Sequence, residues 1–105
     1  MSYSKYHAKK TVVDGHTFHS KKEASRYTEL KFLQKAGSIK GLELQPKFDF
    51  VHNGIKICRY IADFRYIDVD LDQVIIEDVK GVLTQLYKIK KKLLRAFYGF
   101  EIKET

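Results

Sequence analysis

The chain reads as an α/β domain in the order helix, three strands, helix, strand, preceded by a small β-ribbon. Three observations predict this. Two stretches carry helix start and stop signals, Ser20 before and Gly37 after the first, Thr84 before and Gly99 after the second. Between them lie alternating runs of β-branched and aromatic residues, separated by short polar turns. The 105 residues suffice for one modest core, with no linker, low-complexity tract or internal repeat. Residues 1–105 are therefore expected to form a single domain, with 1–10 as a basic arm.

Taken in order, Thr11 to Phe18 carries Asp14-Gly15 between short β-prone runs, the mark of a tight hairpin. The first helix should start at Ser20, run to about Ala36 and end at Gly37, with Ala24, Tyr27, Leu30, Leu33 and Gln34 facing inward. Ser20-Lys21-Lys22-Glu23 is a capping box, in which the Glu23 carboxylate would return to the Ser20 amide. Glu23 also lies on the Tyr27 side of the helix, where it would reach a site at the sheet; both roles stay open. Ile39 to Phe50 reads as a strand, with Pro46 marking an edge or a bulge. His52-Asn53-Gly54 turns the chain into Ile55 to Asp68, a long strand with Ala62, Phe64 and Tyr66 on one face and Ile61, Asp63 and Arg65 on the other. After Asp70 to Gln73, a third strand begins at Val74. A second helix follows from Thr84 to about Tyr98, with Leu86, Ile89, Leu93 and Phe97 as its buried stripe and Leu94 beside it. Phe100 to Lys103 would be the closing strand.

The formal charge of +7 is concentrated in three blocks. These are the arm (Lys5, Lys9, Lys10), the first helix (Lys21, Lys22, Arg26, Lys31, Lys35) and the last helix (Lys88, Lys90, Lys91, Lys92, Arg95), interleaved with Tyr6, Tyr27, Tyr87 and Tyr98. Such blocks suit a polyanion, because phosphate contacts release counterions; solvated helix faces are the plainer reading. No apolar run is long enough to span a membrane, and no signal-peptide core is present. A single cysteine, Cys58, fits a reducing cytosol, so a cytoplasmic location is expected. His16, His19 and Cys58 lack the spacing of a zinc site.

The stretch Val74-Ile75-Ile76-Glu77-Asp78-Val79-Lys80-Gly81 organises the rest. Alternation places Ile76, Asp78 and Lys80 on one face, with Ile75, Glu77 and Val79 on the other. A carboxylate and an ammonium at a strand end suit metal-dependent phosphodiester cleavage, which needs an anionic oxygen for a hard cation and a donor for the attacking water. A solvated strand end is the alternative. Asp63 is expected on the neighbouring strand, and cross-strand neighbours stand about 5 Å apart. The two carboxylates would then share one cation.

Glu23, Asp63, Asp78-x-Lys80 and a basic helix, in that order, resemble the PD-(D/E)XK nuclease superfamily over Ser20 to about Ile102. Tyr6 to Lys10, Phe18 to Ala24, Tyr60 to Phe64 and Glu77 to Gly81 look like a phage-encoded family of Holliday-junction-resolvase-like endonucleases, long catalogued as a domain of unknown function. Ala62 stands where the superfamily name has proline. The resemblance implies a restriction-endonuclease-like core, a mixed four-stranded sheet flanked by two helices. It implies Mg2+ or Mn2+ held by Asp63, Asp78 and the Val79 carbonyl, with Lys80 orienting the attacking water. Glu23 would complete the site, and Gln45 would add a polar group. If the strand were bulged, Glu77 and Asp78 would exchange roles. Lys9, Lys10, Lys21, Lys22, Arg26, Lys88, Lys91 and Arg95 would contact the DNA backbone, with Tyr87 against sugar or base. Two symmetric cuts in branched DNA would call for a twofold dimer. A basic DNA-binding protein without catalysis explains the lysines equally well, though not acids converging on a phosphate surface.

Overall fold

The computed structural model describes residues 10–79 and 83–105, so the expectations for Lys9, Lys80 and Gly81 fall outside the described residues. Strands β1 (Thr11–Val13) and β2 (His16–Phe18) pair antiparallel around Asp14 and Gly15, whose φ values of 53° and 78° meet the demand of a type I′ turn for two left-handed residues. Helix α1 (Lys21–Lys35) begins where the Ser20 hydroxyl accepts the Glu23 amide at 3.1 Å. It ends at Gly37, φ 86°, whose amide donates to the Gln34 carbonyl while that of Ser38 donates to Leu33. Ala24, Tyr27 and Leu30 are buried as expected, but Leu33 lies beyond the sheet and is exposed. Gln34 instead uses its side-chain oxygen to accept the Leu42 amide.

Strands β3 (Ile39–Leu44), β4 (Lys47–His52), β5 (Ile55–Ile61), β6 (Phe64–Asp68) and β7 (Gln73–Asp78) follow, then helix α2 (Gln85–Tyr98) and strand β8 (Ile102–Glu104). The main sheet runs β3-β6-β7-β8, antiparallel except for the parallel β7–β8 pair, so it is mixed and four-stranded. Antiparallel β4 and β5 form a hairpin of their own, turning at Asn53 and Gly54 with φ of 52° and 76°.

That hairpin corrects the expected strand boundaries. Ile39 to Phe50 and Ile55 to Asp68 are each two strands, broken at the same level. Gln45 adopts φ 51° and Pro46 brings no N–H to a ladder, so the chain turns there. Opposite, the Ala62 amide donates to the Pro46 carbonyl and the Gln45 amide to the Asp63 carbonyl. The β4–β5 hairpin thereby leaves the sheet plane and lays Phe48, Phe50 and Tyr60 against Ile76, Ile102 and Leu94. The other sheet face packs Phe64, Tyr66 and Ile39 against Ala24, Tyr27 and Leu30 of α1. Two small cores thus sandwich the sheet.

Helix α2 keeps its expected ends, with the Thr84 hydroxyl accepting the Tyr87 amide and Gly99 left-handed at φ 75°. Its buried stripe is displaced. Tyr87 and Leu94 are 9% and 0% exposed, whereas Leu86 and Ile89 are 59% and 51% exposed. The helix is turned by about one residue because the large Tyr87 fills the core while its hydroxyl needs an acceptor, found in Glu104 at 2.6 Å. Among the described residues no helix is long and apolar enough to cross a membrane.

Glu77 sits on the α1 side of β7 with its side chain wholly buried. Arg26 of α1 donates to both its oxygens, at 2.5 and 2.9 Å; Tyr66 of β6 donates at 2.6 Å, and the Thr105 hydroxyl lies 3.2 Å away. Burial raises the carboxyl pKa, but the Arg26, Tyr66 and Thr105 hydrogen bonds outweigh it and hold Glu77 below the usual range. Removing one partner of a buried pair strands the other's charge. Arg26→Ala should therefore lose about 3 kcal/mol in urea denaturation. An acid with a depressed folded pKa gives stability that is present above its unfolded pKa and fades as pH falls through the folded one. The loss in Arg26→Ala should accordingly shrink with acidification through and below the normal glutamate range.

Candidate active site

Asp63 is the residue just before β6, at a bend rather than within a strand. Its amide donates to the Glu77 carbonyl at 3.2 Å, extending by one step the register in which Phe64 faces Glu77. This sets Asp63 beside Asp78, the neighbour expected of it. One Asp63 oxygen, Oδ2, accepts the Val79 amide at 2.7 Å. Asp78, 7% exposed, accepts the Tyr60 hydroxyl of β5. β7 pairs without a register shift, so Glu77 and Asp78 keep opposite faces and do not exchange roles.

The Asp63 and Asp78 carboxyls are also close enough to act on each other. Burial first, then the hydrogen bond and charge of Asp78, push the Asp63 carboxyl well above the usual range; the Val79 amide opposes this and the Glu23 charge adds to it. Two adjacent carboxyls in a place poor in water cannot both ionise without a compensating cation. Asp63 therefore keeps its proton when no cation is near. A hard divalent cation is the natural replacement for that proton, because it takes oxygen ligands, one or two carboxylates and several waters. The donor chemistry fits Mg2+ or Mn2+: two carboxyls side by side, with the Val79 carbonyl on the same short segment. Among the described residues no group of three or more His, Cys, Asp or Glu comes close enough to form a fuller cage.

Glu23, Gln45 and Asp63 line one cavity of about 230 Å³, walled by β1–β2 residues including His16. The structure thus brings three expected site residues together from α1, the β3–β4 turn and the β5–β6 bend. Glu23 is buried and accepts the His19 amide at 2.9 Å, one residue earlier than the capping box predicts. It serves the helix start and faces the cavity at once. Gln45 stands there because its left-handed backbone breaks the strand, a conformation uncommon outside glycine and concentrated at functional sites.

Asp78 lines a second cavity, about 440 Å³, together with Tyr60, Tyr87, Arg59, Thr84 and Lys90; Asp63 is not among its lining residues. Tyr60 and Lys90 line this cavity, though the sequence suggests no individual role for either and places Lys90 only within a basic block. Tyr60 looked like one more strand aromatic, and only the bend at Asp63 turns its hydroxyl to Asp78. Lys90 was one lysine in a run.

The expected DNA contacts divide. Lys10, Lys21 and Lys22 are exposed. Arg26 and Tyr87, expected at a nucleic-acid surface, point inward instead, Arg26 to Glu77 and Tyr87 to Glu104, since each fills buried space beside an acid that needs a donor. Lys88, Lys91 and Arg95 line a separate groove of about 360 Å³ between α2 and β8 that includes neither aspartate. There Lys91 pairs with Glu104 and Arg95 with Glu101, both at 3.2 Å.

The chain matches, over residues 3–105, the model of a family described as protein of unknown function, DUF1064, and belongs to that family. No curated protein and no solved structure matches it.

An acid whose folded pKa exceeds its unfolded value binds more protons when folded, so stability falls as pH rises from the ordinary carboxylate range toward the raised value. Asp63→Asn, which keeps a neutral group in place, should therefore melt higher than wild type in EDTA at mildly alkaline pH. A gain of about 1 kcal/mol would appear as about 4–8 °C in a domain of this size. The difference should close in the ordinary carboxylate range, and added Mg2+ should stabilise wild type but not the variant.

Proposed function

We propose that this member of the DUF1064 family is a metal-dependent DNA endonuclease with a restriction-endonuclease-like core, hydrolysing phosphodiester bonds. The observation that carries the reading is the pair of Asp63, at the bend before β6, and buried Asp78, at the end of β7, set side by side, with the Asp63 carboxyl pushed up by desolvation and by its neighbour. A protein of formal charge +7 has little structural use for such a pair at a cavity, and a divalent cation gives it one. The reading extends to a structure-selective, Holliday-junction-resolvase-like enzyme of phage or prophage origin, acting in the cytoplasm of the host as a homodimer.

Asp63, Asp78 and the Val79 carbonyl would hold Mg2+ or Mn2+. Such an ion supplies Lewis acidity toward a phosphate oxygen and lowers the pKa of a coordinated water. Asp63 would hold the ion as the carboxylate, its proton released to solvent. Tyr60 fixes the Asp78 carboxylate through its hydroxyl, and the Val79 amide fixes that of Asp63. Lys80, outside the described residues, is proposed to orient the attacking water through its ammonium. Glu23 and Gln45 supply further polar groups to the cavity beside Asp63. Lys10, Lys21 and Lys22 are proposed to hold the DNA backbone, with Lys88, Lys91 and Arg95 along the second groove.

One observation favours a non-catalytic DNA-binding protein on the same scaffold. The described residues form no cluster of three metal-ligating side chains, and Glu23 spends one oxygen on the His19 amide. Cleavage of a labelled four-way junction and a matched linear duplex, with Mg2+, Mn2+ or EDTA, separates the two. The nuclease should cut only with metal, with paired nicks on the junction, and Asp78→Ala should abolish cutting. Lys80→Ala should lower the rate about 10²–10⁴-fold, the usual worth of a positioned proton-transfer group, with DNA binding largely kept. Equal cutting of both substrates would remove the junction preference, and binding without any cutting would establish the second reading.

A further inference from the structure

We propose that Lys90 on α2 is a phosphate-contacting residue that positions the DNA strand over the Asp63–Asp78 pair; the inference rests on the nuclease reading. Lys90 lines the cavity of about 440 Å³ that includes Asp78, separate from the one lined by Glu23, Gln45 and Asp63. It is half-buried, whereas its neighbours Lys88 and Lys92 are exposed and, with Lys91 and Arg95, line the separate groove toward β8. Within the basic helix, Lys90 is thus the cation turned to the chemistry.

Of the two cations that line this cavity among the described residues, one is already engaged. Arg59 lines the same cavity, but its guanidinium is bound by both oxygens of Asp49, at 2.6 and 3.2 Å. Lys91, Arg95 and Lys56 each have a carboxylate partner. Lys90 makes no ion pair among the described residues, and residues 1–9 and 80–82 contain no acid that could supply one. The Lys90 ammonium is therefore available to a phosphate that enters the cavity.

The same cavity contains Asp78, which repels a phosphate, so a strand can enter only with positive charge on its other side. Lys90 supplies that charge from α2. The Tyr60 and Tyr87 rings form the adjoining wall with their hydroxyls committed to Asp78 and Glu104, which leaves Lys90 as the cavity's uncommitted donor among these side chains. Lysine suits the task because its ammonium is a compact charge on a flexible stem, able to follow a phosphate as the strand settles.

The test compares wild type, Lys90→Ala, Lys90→Arg and Lys40→Ala. Lys40 is exposed at the opposite end of β3, so its variant makes the same charge change away from the cavity. Binding of fluorescent DNA is followed by anisotropy in EDTA across a salt series, and Mn2+ affinity by calorimetry without DNA. Lys90→Ala should bind DNA severalfold more weakly and lower the slope of log affinity against log salt by about one, the signature of one lost phosphate contact. Lys90→Arg should keep most of the affinity, and Mn2+ binding should not change in either. In cleavage, KM should rise more than kcat falls. Lys90→Ala indistinguishable from Lys40→Ala, while wild type binds and cuts DNA, overturns the role of Lys90 alone. Weakened Mn2+ binding or a lowered melting temperature in both Lys90 variants overturns it too, by showing an effect through folding. Wild type that neither binds nor cuts DNA overturns the nuclease reading, and this inference with it.

Discussion

The carboxylate of Glu77 is the point on which the molecule turns. A charge wholly removed from water is tolerable only when its oxygens are filled, and here they are filled by Arg26 from α1, Tyr66 from β6 and Thr105 beyond β8. One side chain therefore ties a helix, the middle of the sheet and the end of the chain to the last turn of β7. Because side chains alternate along a strand, holding Glu77 toward α1 commits Asp78 to the opposite face. The site's geometry follows from an interaction that takes no part in its chemistry.

On that opposite face the energetics invert. Glu77 has a cation beside it; Asp78 has, among the described residues, another carboxyl and the Tyr60 hydroxyl. Burial makes the Asp63–Asp78 repulsion costly, and the protein relieves it by keeping a proton on Asp63. Nothing in packing requires such a pair, since two apolar residues would fill the space at lower cost. Local strain gathers at the same place: the left-handed Gln45 and the bend at Asp63 put two irregular pieces of backbone against each other, joined by the Gln45 amide and the Asp63 carbonyl.

Positive charge is partitioned in a way that composition conceals. Arg26 serves the interior, Arg59 an acid of the hairpin, Lys91 and Arg95 the acids of and before β8. Lys88 and Lys92 of the same helix stay exposed, and Lys90 lines the cavity beside Asp78. A helix with a lysine at almost every polar position is thus several surfaces at once, and a turn of one residue decides which lysine lines the cavity beside Asp78. Tyr87 decides that turn, by its bulk and by its need for Glu104.

Sequence by itself determined the elements whose causes are local. Ser20, Thr84, Gly37 and Gly99 mark helix ends through bonds and dihedrals that involve residues a few places away, and Asp14-Gly15 and Asn53-Gly54 mark hairpins through two left-handed residues apiece. The order of the acids, and the placing of Asp78 opposite Glu77 on one strand, were legible for the same reason: alternation is a property of the backbone. Tertiary structure decided whatever depends on which surface meets which. It cut two apparent strands in half so that Phe48, Phe50 and Tyr60 could cover the sheet, drew Arg26 and Tyr87 inward, passed the Glu23 cap bond from Ser20 to His19, and turned Lys90 to the cavity. Burial and charge pairing are set by residues distant in the chain, and no local pattern records them.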